Sequence, residues 1–115
     1  MRVAITVDGG TEALGGLRRW LTGEADLRDR VMVRERPPGP VLEALVVALT
    51  PDGVAAALVT GIVTWLRHER GDLTVRVQRG DGSSFEITAA RVRGLDAEAL
   101  RAEIERLAAE TGRPS

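Results

Sequence analysis

One stretch of this chain leaves little freedom in how it folds. Leu73, Val75 and Val77 alternate with Thr74, Arg76 and Gln78, and Phe85, Ile87 and Ala89 alternate with Ser84, Glu86 and Thr88. A period of two is the signature of a strand with one buried face. The register follows by arithmetic. A two-residue Asp81-Gly82 loop pairs Val77 with Glu86 and sets opposite faces together. A three-residue Gly80-Asp81-Gly82 loop pairs Val77 with Phe85, Val75 with Ile87 and Arg76 with Glu86. Only the second keeps one face apolar, and Gly82 then supplies the left-handed residue that such loops need.

The other segments arrange themselves around this hairpin. Val3, Ile5 and Val7 alternate with Arg2, Ala4 and Thr6, which predicts a half-buried strand ended by Asp8-Gly9-Gly10. Thr11 is an N-cap for a helix with Leu14, Leu17, Trp20 and Leu21 on one face, stopped by Gly23. Gly15 and Gly16 weaken that helix by about 1 kcal/mol each. Glu24 to Arg30 reads as a polar connection into a second strand, with Val31 and Val33 on one side. Pro37-Pro38-Gly39-Pro40 ends it, because consecutive prolines cannot donate to a ladder. Residues 41–49 read as a helix, but Val46 and Val47 are β-branched and a strand fits the same short apolar run. After Thr50-Pro51-Asp52-Gly53, Asp52 caps a helix that runs to a polar end at Arg67–Gly71. Asp96 caps the last helix, in which Leu100, Ile104 and Leu107 form the buried stripe, with Glu103–Arg106 and Arg101–Glu105 outside.

The expectation is therefore one small α+β domain over residues 1–115, with 113–115 as a tail. Its order is β-α-β-α-α-β-β-α, with about four strands in one sheet and helices packed mainly on one face.

Composition narrows the function classes. There is no Cys, hence no thiol nucleophile or thiolate ligand, and every one of the 16 basic residues is Arg. Without Lys there is no Schiff base and no phosphate-binding P-loop lysine. His68 is the single histidine, and three carboxylates would have to join it in a metal site. No metal or cofactor is expected. A net charge of -1 and only Trp20, Trp65 and Phe85 as aromatics argue against a nucleic-acid partner. MRVAITVDGG reads as a strand and turn rather than a signal peptide, so a cytoplasmic protein is expected.

Candidate sites each meet a plainer alternative. Asp8-Gly9-Gly10-Thr11 joins strand to helix and could hold an anion, but a turn explains it. His68 beside Glu69 and Asp72 suggests proton transfer, yet it closes a helix, and no Ser is placed to be its nucleophile. Arg79-Gly80-Asp81 is hairpin chemistry. Residues 54–66 hold an apolar stripe through Val54, Leu58, Ile62 and Trp65, and a small-residue stripe at Ala56, Thr60 and Thr64. Thirteen apolar residues make about 20 Å of helix, short of the roughly 30 Å of a bilayer core. The readings are a core helix, a core helix shared with a protein interface, and insertion into lipid on activation. The second predicts that some of Val54, Leu58, Ile62 and Trp65 lie on the surface of one subunit, covered by a partner or by a second copy in a homo-oligomer.

The stretches VAITVDGG, LRRWL, ERPPGPVLEALVVAL and VTWLRHERGDLTVRVQRGDGSSFEI resemble the effector-associated constant component family of actinobacterial conflict systems. None of these stretches contains a catalytic motif. The resemblance implies a non-enzymatic adaptor or signalling component of NTP-dependent immunity, with caspase-like or trypsin-like peptidases as effector partners. A membrane-acting component working through residues 41–66 is the alternative.

Overall fold

A computed structural model describes residues 2–8, 11–36, 41–49, 54–69, 71–80 and 82–111. The Gly9-Gly10 turn, the Pro37–Pro40 stop, the Thr50–Gly53 break with its Asp52 cap, Arg70, Asp81, Gly112 and the 113–115 tail lie outside the described residues.

The chain runs β1 (Arg2–Asp8), α1 (Thr11–Thr22), β2 (Val31–Arg36), β3 (Val41–Ala48), α2 (Val54–His68), β4 (Thr74–Arg79), β5 (Ser84–Thr88), α3 (Ala89–Arg93) and α4 (Ala97–Thr111). The strands form one sheet in the order β2-β3-β1-β4-β5, with every neighbouring pair antiparallel. The α+β class holds, and two details are corrected. The sheet has five strands rather than about four, and residues 41–48 are a strand rather than a helix. The reason is pairing on both sides. β3 lies between β1 and β2, with Val47 opposite both Val3 and Val31, and its β-branched residues suit that pleated position.

β1 and β2 are both antiparallel to β3 and are joined through α1. β3 and β4 are both antiparallel to β1 and are joined through α2. Two split βαβ units in this order make the β-α-β-β-α-β ferredoxin-like arrangement. Here β5, α3 and α4 extend it beyond β4.

The hairpin register is the one derived from alternation: Val75 faces Ile87, Arg76 faces Glu86 and Val77 faces Phe85. Gly82 has a φ of 92°, and the Arg79 amide donates to the Ser83 carbonyl at 2.8 Å to close the loop. Arg76 and Glu86 pair at 3.0 Å on the exposed face. Arg79 itself is buried at the end of the core face, opposite Val3, and donates to Ser83 Oγ. The arginine of the Arg-Gly-Asp triplet is thus a structural group and is not displayed.

Val3, Ile5, Leu45, Val47, Val75, Val77 and Ile87 cover one face of the sheet, and Leu14, Leu17, Leu21, Leu58, Ile62 and Leu66 meet them from the helices. Each such side chain contributes about 1.5–3 kcal/mol on burial. Leu27 is also fully buried, although it sits in the polar connection after α1. Successive turns at Glu24, Leu27 and Arg30 swing it inward.

The C-terminal part holds an element that alternation misses. Ala89 is not the last residue of β5; it opens the short α3, because Thr88 Oγ1 accepts from the Arg91 amide as an N-cap. Arg93 then donates to the carbonyls of Glu69 and Gly71, at 2.8 and 2.6 Å, and so ties α3 to the end of α2. Asp96 caps α4 as expected, its Oδ1 accepting from the Ala99 amide at 2.8 Å. Leu107 is buried on α4, with Leu100 and Ile104 half-buried against the core.

Candidate interaction site

Helix α2 is the centre of the helical layer, flanked by α1 on one side and by α3 and α4 on the other. At about 100° per residue, its buried positions span roughly 200° of the helix circumference. They run from Gly61 and Val54 through Trp65, Leu58 and Ile62 to Leu66, Val59 and Val63. Val54, Leu58, Ile62 and Trp65 are all inside the subunit, and Trp65 is only 3% exposed. The expectation that part of this stripe is displayed on one subunit is corrected. It supposed two successive apolar helices competing for one sheet face. With 41–48 in the sheet, α2 has the sheet, α1 and α4 to cover it.

What α2 turns outward is the small-residue stripe. Ala56 and Thr60 are exposed, with Ala57 and Thr64 half-buried. Gly61 lies at the edge of this stripe, and its missing side chain is required from within. A Cβ there would come within 2.9 Å of Leu21 Cδ2, so the buried Leu21 side chain would have to shift to admit even alanine. Gly16 on α1 is different: a Cβ would rest at 3.8 Å from the Trp65 ring, an ordinary contact.

Trp20 stands beside the stripe. It is 36% exposed, contrary to its expected place on the buried face of α1. Leu14, Leu17 and Leu21 occupy a narrow arc of that helix, and Trp20 falls roughly 90° from its centre. The angle was available from the spacing alone. The indole stacks at a tilt on His68, with ring centroids 5.7 Å apart. His68 Nδ1 donates to the Thr64 carbonyl at 2.8 Å. The lone imidazole is therefore a bracket at the helix end that supports Trp20.

Trp20, Glu24 and Asp26 from the end of α1 and the connection after it, and Ala56, Ala57, Thr60 and Thr64 from α2, line a surface groove of about 400 Å³. Neither carboxylate forms an ion pair with a described residue. Two other acids are matched to arginines. Glu86 pairs with Arg76, and Glu103 takes both Arg91 and Arg106. At Glu103, burial pushes the carboxyl up, but hydrogen bonds from Arg106 and Arg91 and their charges outweigh it and hold it below its ordinary value. Sequence reasoning took Glu24 and Asp26 for plain connection residues. Their place beside α2 follows only from the turns around the buried Leu27.

Among the described residues no three His, Asp or Glu side chains gather in a way that could hold a metal ion. No helix among them is long and apolar enough to cross a membrane. The other broad surface is the open face of the sheet, where Ala4, Thr6 and Val46 lie among Arg34, Arg76, Gln78 and Glu86. Among the described residues it carries one exposed large apolar residue, Met32.

No curated protein and no solved structure matches this chain. A family profile does: that of Effector Associated Constant Component 1 matches residues 6–108, nearly the whole domain. The chain belongs to the Effector Associated Constant Component 1 family.

Proposed function

We propose that this domain is a non-enzymatic adaptor that holds an effector protein of peptidase type within a bacterial conflict system, with the groove between α1 and α2 as its docking face. The observation that carries this reading is the position of Trp20. A tryptophan at the rim of a groove, beside small residues that let another backbone come close, is the kind of residue on which binding energy concentrates. The family description, an effector-associated component, agrees with a binding role. The chemistry of the chain points the same way. It has no Cys and no Lys, and its one histidine is engaged in supporting Trp20.

The groove is preferred to the open sheet face because the latter has no aromatic anchor among the described residues. The test is direct binding between the purified domain and a caspase-like or trypsin-like peptidase from the same genome, followed by size-exclusion chromatography and interferometry. A complex that weakens about ten-fold or more on Trp20→Ala is expected. Failure of the wild-type domain to associate with any such peptidase, or turnover of substrate by the domain alone, would overturn the reading.

A further inference from the structure

We propose that the α1/α2 groove recognises an arginine-bearing segment of the partner protein, whose guanidinium lies over the Trp20 indole and reaches Glu24 and Asp26. This inference rests on the adaptor reading and names the chemistry of what is docked.

Three observations converge on a cation. Trp20 presents a partly open ring in the groove, in tilted contact with the His68 ring. An indole face attracts a guanidinium more strongly than any other aromatic side chain does. Glu24 and Asp26 line the same groove and lack an ion pair with any described residue, so both carboxylates are free to take a cation. The floor between the walls is low, because Ala56 and Thr60 carry short side chains. A slender segment can therefore lie along α2 and bring one long side chain to the ring and the carboxylates that line the groove with it. Arginine fits this setting better than lysine, since its planar fork can stack on the ring and donate to both acids at once.

The probe is a ten-residue peptide alternating arginine and alanine, beside the same peptide with citrulline at each arginine. Citrulline keeps the shape and removes the charge. Binding is read for every variant by fluorescence anisotropy of a dye-labelled peptide, and for the wild type also by tryptophan emission, which is clean here because the chain has no Tyr and only two Trp. The arginine peptide is expected to change the emission, and the citrulline peptide to bind about ten-fold more weakly or worse. The double variant Glu24→Gln/Asp26→Asn and the single variant Trp20→Ala should each weaken the arginine peptide by a similar factor. All three positions are exposed, so melting curves should stay close to wild type and affinity reports on the groove. The wild-type affinity should fall as salt rises.

Equal binding of the citrulline peptide overturns the proposal, as does undiminished binding by the double variant. A wild-type dimer that Trp20→Ala converts to monomer would make a second copy of this chain the occupant, and would also overturn it. The adaptor reading fails separately. If the peptidase binds the double variant as well as the wild type, the adaptor stands and the arginine assignment falls. If no peptidase binds while the arginine peptide does, the groove chemistry stands and the adaptor reading falls.

Discussion

The two tryptophans lie in the same helical layer and have opposite fates. Trp65, on α2, is 3% exposed and packs beside Gly16 of α1, while Trp20, on α1, is 36% exposed and leans on His68 of α2. Each helix lends support to the other's indole. Residue type therefore says little about which ring faces a partner, and angular position on the helix says much. Trp65 falls within the widest buried arc in the molecule. Trp20 falls just off the edge of a narrow one, so its ring is only partly covered.

Mutating both rings to alanine should break the symmetry most strongly. Trp65→Ala is expected to cost about 3–5 kcal/mol, enough to threaten a domain of this size. Trp20→Ala should stay within about 1 kcal/mol of wild type. Urea denaturation of the two variants checks this, and similar losses for both would erase the distinction.

The helix contact between the rings offers a second comparison. Gly61→Val must push Leu21 out of a filled core and should cost about 1–3 kcal/mol by the same measurement. Gly15→Ala meets only the tip of Arg19, so it should be neutral or gain up to about 1 kcal/mol from better helix propensity.

These outcomes bear on how much a sequence of this kind reveals. The hairpin from Thr74 to Thr88 was legible to the residue, because alternation on two strands admits one register. The Asp96 cap was legible for a similar local reason. Residues 41–48 were ambiguous because a short apolar run carries no period. Only the pairing of β3 with β1 and β2, contacts distant in sequence, decides for strand. That one ambiguity spread. With a helix placed there, the apolar surface of α2 looked excessive, and the interface was assigned to Val54, Leu58, Ile62 and Trp65. With a strand placed there, the excess disappears and the groove beside Trp20 remains. Leu27 was illegible for another reason: a single apolar residue in a polar connection has no periodicity at all.

The smallest expected effect lies far from both rings. Glu103 joins α4 to α3 through Arg91 and pairs with Arg106 on its own helix, and these partners hold its carboxyl below the ordinary range despite some burial. A lowered folded-state value means the contribution is complete above the unfolded-state value and is lost as pH falls through the folded one. Much of this ion-pair cluster is solvent-exposed, so the contribution is a few tenths of a kcal/mol. Glu103→Gln should therefore narrow the stability difference between neutral and acidic pH slightly, as read from melting temperatures across that window. It should leave the groove unaffected.

The central claim is that Trp65 holds the fold while Trp20 is kept outside for a partner. Fluorine NMR on the wild-type chain, labelled with fluorotryptophan and assigned with Trp20→Phe, tests it in one sample. Two resonances are expected. The Trp20 signal should respond to exchanging water for deuterium oxide and should move when the arginine peptide is added. The Trp65 signal should do neither. Two solvent-silent resonances, or a Trp65 signal that moves on titration while Trp20 stays still, would contradict the account.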